Sequence, residues 1–339
     1  MTDLATGQGE LMMRGIASAV RHQGALTATQ ASILTAVGTH LLGVDTPPLQ
    51  LEPLGPTEFA DALPDEELRR RAVHAMVTLE IVADPVPADV HAQVDRYARA
   101  LRVDDGMLAV ARDYSRGAMA QAMQDYLRNS YVLAYYSAHP GQAAAGAKPS
   151  AAGPPQGDPA LAAKWNALET CPSGSHGRAV WDFYQMRGFA VPGTPGAVDP
   201  LLAQHDWVHC LADYGTSATG EIEVFTFISG AIPDPKGFSY AVVIIGLFET
   251  GYVPAVPGVA TANPGHLSAP GGSTRFVDAL RRGLAMNLDV MGGIDWFRHA
   301  DQPIEDVRRE LGVEPKSGDA LDTGSLSALD PNAVFSRST

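Results

Sequence analysis

Between His139 and Ala160 the chain runs HPGQAAAGAKPSAAGPPQGDPA, and no apolar periodicity crosses this stretch. Residues of these types bury too little side chain to fold, so 139–160 reads as a flexible, partly extended linker. Folding is therefore expected in two pieces, 10–138 and 161–315. The length of 339 residues agrees, since a domain holds roughly 150. After Pro315 the sequence KSGDALDTGSLSALDPNAVFSRST loses periodicity and gains Gly, Ser and Asp, so 316–339 is expected to be a disordered tail.

Both pieces space their apolar residues as helices do, for instance Leu101, Met107, Leu108, Val110 and Ala111 near the end of the first. In the second, Gly177–Met186, Leu201–Tyr214, Glu221–Ser229, Phe238–Glu249, Ser273–Met291 and Pro303–Leu311 read as helices divided by Gly/Pro punctuation such as PGTPG and PAVPG. Alternation of period two is scarce. Only Ala241–Ile245, short and β-branched, suits a buried strand as well as a helix. The expected fold class is all-α, two helical domains joined by the linker.

Composition narrows the function. With 45% hydrophobic and 18% charged residues the chain is globular rather than disordered. A formal charge of −14 argues against a phosphate-binding surface, so no nucleic-acid partner is expected. Neither GxGxxG, GxxxxGK[ST] nor GxSxG occurs, which leaves nucleotide binding and serine hydrolysis without support. Cys171 and Cys210 lie 39 residues apart, outside any zinc-finger spacing, and imply no disulfide scaffold. The start MTDLATGQGELMMRG lacks the pattern of a secretory signal, so a cytoplasmic protein is expected. The longest apolar patch, Tyr240–Phe248, is too short to span a bilayer, and any contact with the inner face of the cell membrane would be peripheral.

The segment that carries chemistry is QHDWVHCLADYGTSATGEIEV, residues 204–224. It contains His205, Asp206 and His209, then eleven residues, then Glu221. On a helix, positions i and i+4 share a face, so both histidines can point to one place with Asp206 on the adjoining flank. Gly215 and Gly220 permit a turn that returns Glu221 toward the same point. Two imidazoles and two carboxylates suit a divalent metal: zinc first, with iron, manganese or cobalt also admitted. Asp206 and Glu221 are then also the candidate catalytic carboxylates. Glu223 should face elsewhere, as a supporting partner or surface charge. Two other readings of this segment remain: half-buried histidines beside helix acids, and a zincin-like hydrolase in which HDxxH stands for HExxH with Asp206 as general base.

The pattern H-D-x-x-H-x11-E resembles the signature of the ubiquinone-biosynthesis family (the fourth coenzyme-Q biosynthesis protein), with His205, Asp206, His209 and Glu221 at its metal-ligand positions. Upstream, Cys171-Pro172-Ser173-Gly174-Ser175-His176-Gly177-Arg178 is similar to that family's P-x-G-[ST]-L-G helix start, with His176 where leucine is usual. Downstream, Ala279–Gly283, Asp295-Trp296-Phe297 and Gln302–Gly312 are similar to its W…PL-x-x-x-R-x-x-L-G ending. The match spans 165–313. It implies a helical domain, a bound divalent metal usually taken as zinc, peripheral membrane attachment, and a prenylated aromatic or quinone-like lipid as ligand. It also implies partnership with other quinone-biosynthesis proteins, as a scaffold or as the lyase that removes the ring carboxyl at C1 and hydroxylates that carbon. Zinc can stabilise the charge left by loss of CO2, whereas hydroxylation needs oxygen and either a redox metal or a phenol that reacts by itself.

In the first piece, Leu26-Thr27 precedes a helix ending Leu41-Leu42-Gly43-Val44-Asp45, and Val86-Pro87 precedes one ending Ala100-Leu101-Arg102-Val103-Asp104, an offset of 60 and 59 residues. Thr27 and Pro87 suit helix starts. This pairing resembles the TerB-like (tellurite-resistance) helical domain over about 12–115. The second half has Ala83-Asp84-Pro85 where that domain has Ala-Asp-Gly, and the first has His22-Gln23-Gly24, so an interaction or homodimerisation module is expected there rather than a metal site.

Several further residues admit two readings. His176 reads as a solvated turn residue or an anion contact at a helix start. Arg178, Arg275, Arg281 and Arg282 read as a solvated face or as binders of a carboxylated ring or anionic lipid. Phe225, Phe227, Ile228 and the 240–248 patch read as core or as a slot for an isoprenoid tail. Trp207 and Tyr214 are expected only to pack.

Overall fold

A computed structural model describes residues 7–140, 156–256 and 260–334. The first unit comprises α1 (Gln8–Val20), α2 (Ala28–Val37), α3 (Pro56–Ala62), α4 (Glu66–Ile81), α5 (Ala88–Leu101), α6 (Gly106–Ser115), α7 (Met119–Asn129) and α8 (Tyr131–Ala138). The second comprises α9 (Pro159–Asn166), α10 (His176–Arg187), α11 (Gln204–Ala212), α12 (Ala218–Ala231), α13 (Phe238–Ile245), α14 (Gly272–Met286), α15 (Ile304–Glu310) and α16 (Gly318–Asp322). Among the described residues the only strands are β1 (Ala255–Val256) and β2 (Ala260–Thr261), an antiparallel pair in which Ala255 faces Thr261. The fold is all-α. Ala241–Ile245, open between strand and helix by pattern, lies in α13 and is buried except at Val243.

Local chemistry explains the helix starts. Thr27 caps α2 through a capping box, its hydroxyl accepting from Gln30 N–H while Gln30 Oε1 accepts from Thr27 N–H (2.8 Å). The repeated helix ends also match, since Gly43 (φ 65°) and Arg102 (φ 59°) both take the left-handed conformation, followed by Val44 N–H donating to Gly38 O and Val103 N–H to Ala98 O. α2 ends four to five residues sooner than its partner because 38–42 winds as a π-turn.

The two units share one core. A single cluster of buried apolar side chains runs from Met12 to Ala328. α2 packs on α14 and α4 on α13. The His74 ring stacks on Phe238 at 4.1 Å between centroids. Tyr131 OH donates to Asp289 Oδ2 (2.7 Å), Tyr136 OH to Asp199 Oδ1 (2.5 Å), and Val86 N–H to Tyr252 OH (3.1 Å). Most of the expected linker, 141–155, lies outside the described residues, and its far end already belongs to α9, capped by Asp158.

The expectation of a disordered tail is corrected over 316–334. This segment forms α16 and buries Ala320, Ala328 and Ala333. Polar groups of the body hold its backbone: Arg187 Nη2 donates to Ala328 O (2.8 Å), and Thr216 N–H to Ala333 O (2.7 Å). Ser327 Oγ donates to Asp213 Oδ1 (2.6 Å). Such anchoring leaves no periodicity to read, because the partners are main-chain carbonyls and small side chains. Residues 335–339 lie outside the described ones.

Candidate metal centre

α11 is short, and its end is held from outside. Carbonyls in the last turn of a helix lack intrahelical partners. Arg308 Nη2 donates to Cys210 O (3.0 Å), Arg308 Nε to Leu211 O (2.7 Å) and Arg282 Nη1 to Ala212 O (2.9 Å). His176 at the start of α10 donates Nε2–H to Trp207 O (3.0 Å). The starts of α10 and α15 are themselves laced together: Gly177 N–H donates to Ala300 O and Ile304 N–H to Gly174 O. Three sequence blocks around 171–178, 204–224 and 302–312 thus meet at α11.

His205, Asp206 and His209 converge as the i, i+1, i+4 spacing requires. One ligand atom from each lies within 4.8 Å of the others, and all three residues are buried, so the group can hold a metal ion. His209 Nδ1 donates to Tyr214 O (2.9 Å), and His205 Nδ1 to Leu202 O. A carbonyl only accepts, so each ring carries its proton on Nδ1 and turns the Nε2 lone pair inward. His209 Nε2 is buried with no hydrogen-bond partner. It faces Glu221 Oε1 at 3.4 Å, and His205 Nε2 faces Asp206 Oδ1 at 3.4 Å. His209 Nε2 thus faces a carboxyl oxygen without a hydrogen bond, an arrangement that a cation between them resolves.

Glu221 is brought alongside but stands outside the tight group of three. Burial pushes its carboxyl up to about 7, against the opposing effect of His205 and Arg187. Burial likewise lowers His209 to about 4, which keeps its imidazole neutral and ligating. Glu223, as expected, faces elsewhere, toward Ser325, Lys316, Arg275 and Arg282. The chain reverses at Asp213 (φ 63°), not at the glycines. Gly215 and Gly220 serve close packing, since a Cβ on them would lie 2.2 Å from the Ala333 Cβ and 2.0 Å from Gly215 O.

Two residues of the site escaped the sequence. Tyr184 OH donates to Asp206 Oδ2 (2.5 Å) and so orients the carboxylate. Arg187 stacks 3.7 Å over Phe183, donates to Thr216 Oγ1 (2.8 Å), and acts by charge on Glu221 and Asp206. Neither stands at a spacing that marks it in the chain. The other candidates resolve differently. His176 is fully buried, edge-on to Trp207 and Trp296, so it is neither a solvated turn nor an anion contact. Arg282 caps α11, Arg275 donates to Thr323 O, and Arg281 pairs with Asp278 and Glu314, while Arg178 pairs with Asp182 on the surface. Phe225 stacks on His205 at 5.1 Å, and Phe227 and Ile228 are core.

No protein-family model, curated protein or solved structure matches this chain. The likeness to the ubiquinone-biosynthesis and TerB-like families therefore rests on the residues quoted above. Among the described residues no helix is long and apolar enough to cross a membrane.

Proposed function

We propose that this protein is a metal-dependent lyase that removes the carboxyl group from the ring of a prenylated phenol in quinone synthesis. The observation that carries the reading is the count of ligands. Three buried side chains, His205, Asp206 and His209, form one tight group, and a fourth candidate, Glu221, stands beside it rather than in it. Catalytic zinc sites hold the ion with three protein ligands and keep one position for substrate, whereas structural sites close all four. A divalent ion there, zinc by its ligand set, supplies Lewis acidity that stabilises negative charge on a ring oxygen as CO2 departs. Tyr184 fixes Asp206 and the carbonyls of Leu202 and Tyr214 fix the two imidazoles, and in this reading Glu221 delivers a proton from a carboxyl oxygen to the ring carbon that loses CO2. A quinone-like lipid substrate goes with peripheral attachment to the membrane and with neighbouring quinone-biosynthesis proteins as partners.

One observation favours a second reading, a scaffold in which the metal pins α11 to α12. His209 is fully buried, and α11 meets α12 at the centre through His209 against Glu221 and His205 against Phe225. Glu221→Gln separates the two. Decarboxylation of a ring-carboxylated prenylphenol is expected to fall at least a hundredfold with metal content and melting temperature kept. Loss of metal and of folding together, with no turnover by the wild type, would leave the scaffold.

A further inference from the structure

Between α5 and α6 runs an open groove of about 970 Å³, with Asn129 at the end of α7 also in its wall. Most charged side chains of that wall are already committed. Arg99 pairs with Asp95, and Arg112 with Asp113 (3.1 Å) and Asp125 (3.3 Å). Asp105 Oδ2 meets His74 Nε2 (2.8 Å), and His91 Nδ1 meets Glu80 Oε1 (2.8 Å). Arg102, Arg116 and Asp104 are left over, and all three are exposed. Among the described residues every other arginine has a hydrogen bond or an ion pair, so the two uncommitted guanidiniums share one groove, in a chain whose 38 acidic residues outnumber its 24 basic ones. Arg102 is also placed at a cost to the backbone. It ends α5 in the left-handed region (φ 59°), and the matching position of the repeat is Gly43 (φ 65°). Glycine takes that conformation freely, whereas a residue with a Cβ is strained there. No contact of the guanidinium within the fold explains the arginine.

We propose that this groove binds an extended organic dianion, with one negatively charged end group on Arg102 and the other on Arg116. The fork of a guanidinium pairs with phosphate or carboxylate oxygens two at a time, which sets the end groups. Position sets the length. Arg102 follows α5 and Arg116 follows α6, so the ten residues of α6, about 15 Å of helix, separate their backbones. Val103, Leu108 and Ala109 lie between them in the chain, half-buried in the same wall, and take the hydrocarbon body. Asp104, the wall's one acid without a partner, weakens the hold of Arg102 on an anion. The proposal stands apart from the metal reading, as no wall residue belongs to the metal group.

Calorimetry with the full chain at low salt tests this, with hexanediol bisphosphate and octanedioate as two-ended probes and hexyl phosphate as the one-ended control. The better two-ended probe is expected to bind one site per chain, about tenfold tighter than hexyl phosphate, to weaken as salt is added, and to bind metal-free protein equally well. Whichever of the two binds tighter names the end group as phosphate or carboxylate. Arg102→Gly and Arg116→Gln are each expected to weaken it about three- to tenfold, and Asp104→Asn to tighten it about twofold. Arg102→Gly relieves the backbone, so its melting temperature is expected to be no lower than that of the wild type. No binding of either two-ended probe, no preference over hexyl phosphate, or unchanged binding by Arg102→Gly would overturn the proposal. A lower melting temperature for Arg102→Gly would also overturn it, by making the arginine a structural residue, and loss of binding on metal removal would move the site to the metal.

Discussion

The two halves of the molecule use the same residue types in opposite ways. In the first unit three histidines meet a carboxylate directly: His22–Asp89, His74–Asp105 and His91–Glu80 are all 2.8 Å apart. In the second, His205 and His209 stand 3.4 Å from Asp206 and Glu221, and their N–H groups are turned away to backbone carbonyls. A direct pair consumes the nitrogen and closes the contact. A pair whose proton is committed elsewhere leaves the second nitrogen free toward the carboxylate, and that arrangement is a place for a metal. Proximity of histidine and acid is thus a weak sign of a metal site, and the fate of the other ring nitrogen is a strong one.

The largest expected effect breaks the open set. His209→Ala should drop metal from about one ion per chain to near zero after dialysis, read by mass spectrometry, a loss beyond the roughly 10–100-fold that removing a mere support costs. Full metal retention would show that the open arrangement does not bind. The best-buried closed pair should respond in stability instead. His91→Ala leaves Glu80, 0% exposed, without its partner, and is expected to cost about 3 kcal/mol in urea unfolding with metal content unchanged.

His176 sharpens the comparison because it is buried with no acid at all. Its Nδ1 is unpartnered, and burial lowers it to about 4, below the 6.5 of an exposed histidine. The unfolded chain therefore binds the extra proton between those values, so stability is full above pH 6.5 and is lost as pH falls toward 4. Between pH 7 and pH 5 this group should cost about 2 kcal/mol, and His176→Leu should remove that part of the acid slope. The smallest effect belongs to the exposed pair. His22→Ala should change stability by less than about 0.5 kcal/mol, since His22 and Asp89 are half in solvent.

Legibility in the sequence followed the range of the forces involved. Helical spacing, the helix start at Thr27 and the i, i+4 histidines at 205 and 209 are local, so they could be read in order along the chain. The role of Glu221 was only half legible. Its helix was expected, but its place beside His209 depends on the reversal at Asp213 and on the close approach of Gly215 to Ala333. The tail was misread because its order comes from side chains more than 100 residues away binding its carbonyls, as Arg187 does at Ala328. His176 was misread for a related reason: a Ser-Gly-Ser-His-Gly run looks like a wet turn until Trp207 and Trp296 close over it.

By itself, then, the sequence determined an all-α chain with three metal-ligand types on one helical turn, because helix formation and side-chain facing are set within a few residues. Only the tertiary structure decided that the two units share a core, that the tail straps the second unit, and that both imidazoles turn their lone pairs inward. Those outcomes depend on burial and on which distant carbonyl meets which donor, and such partners come together only when the chain packs.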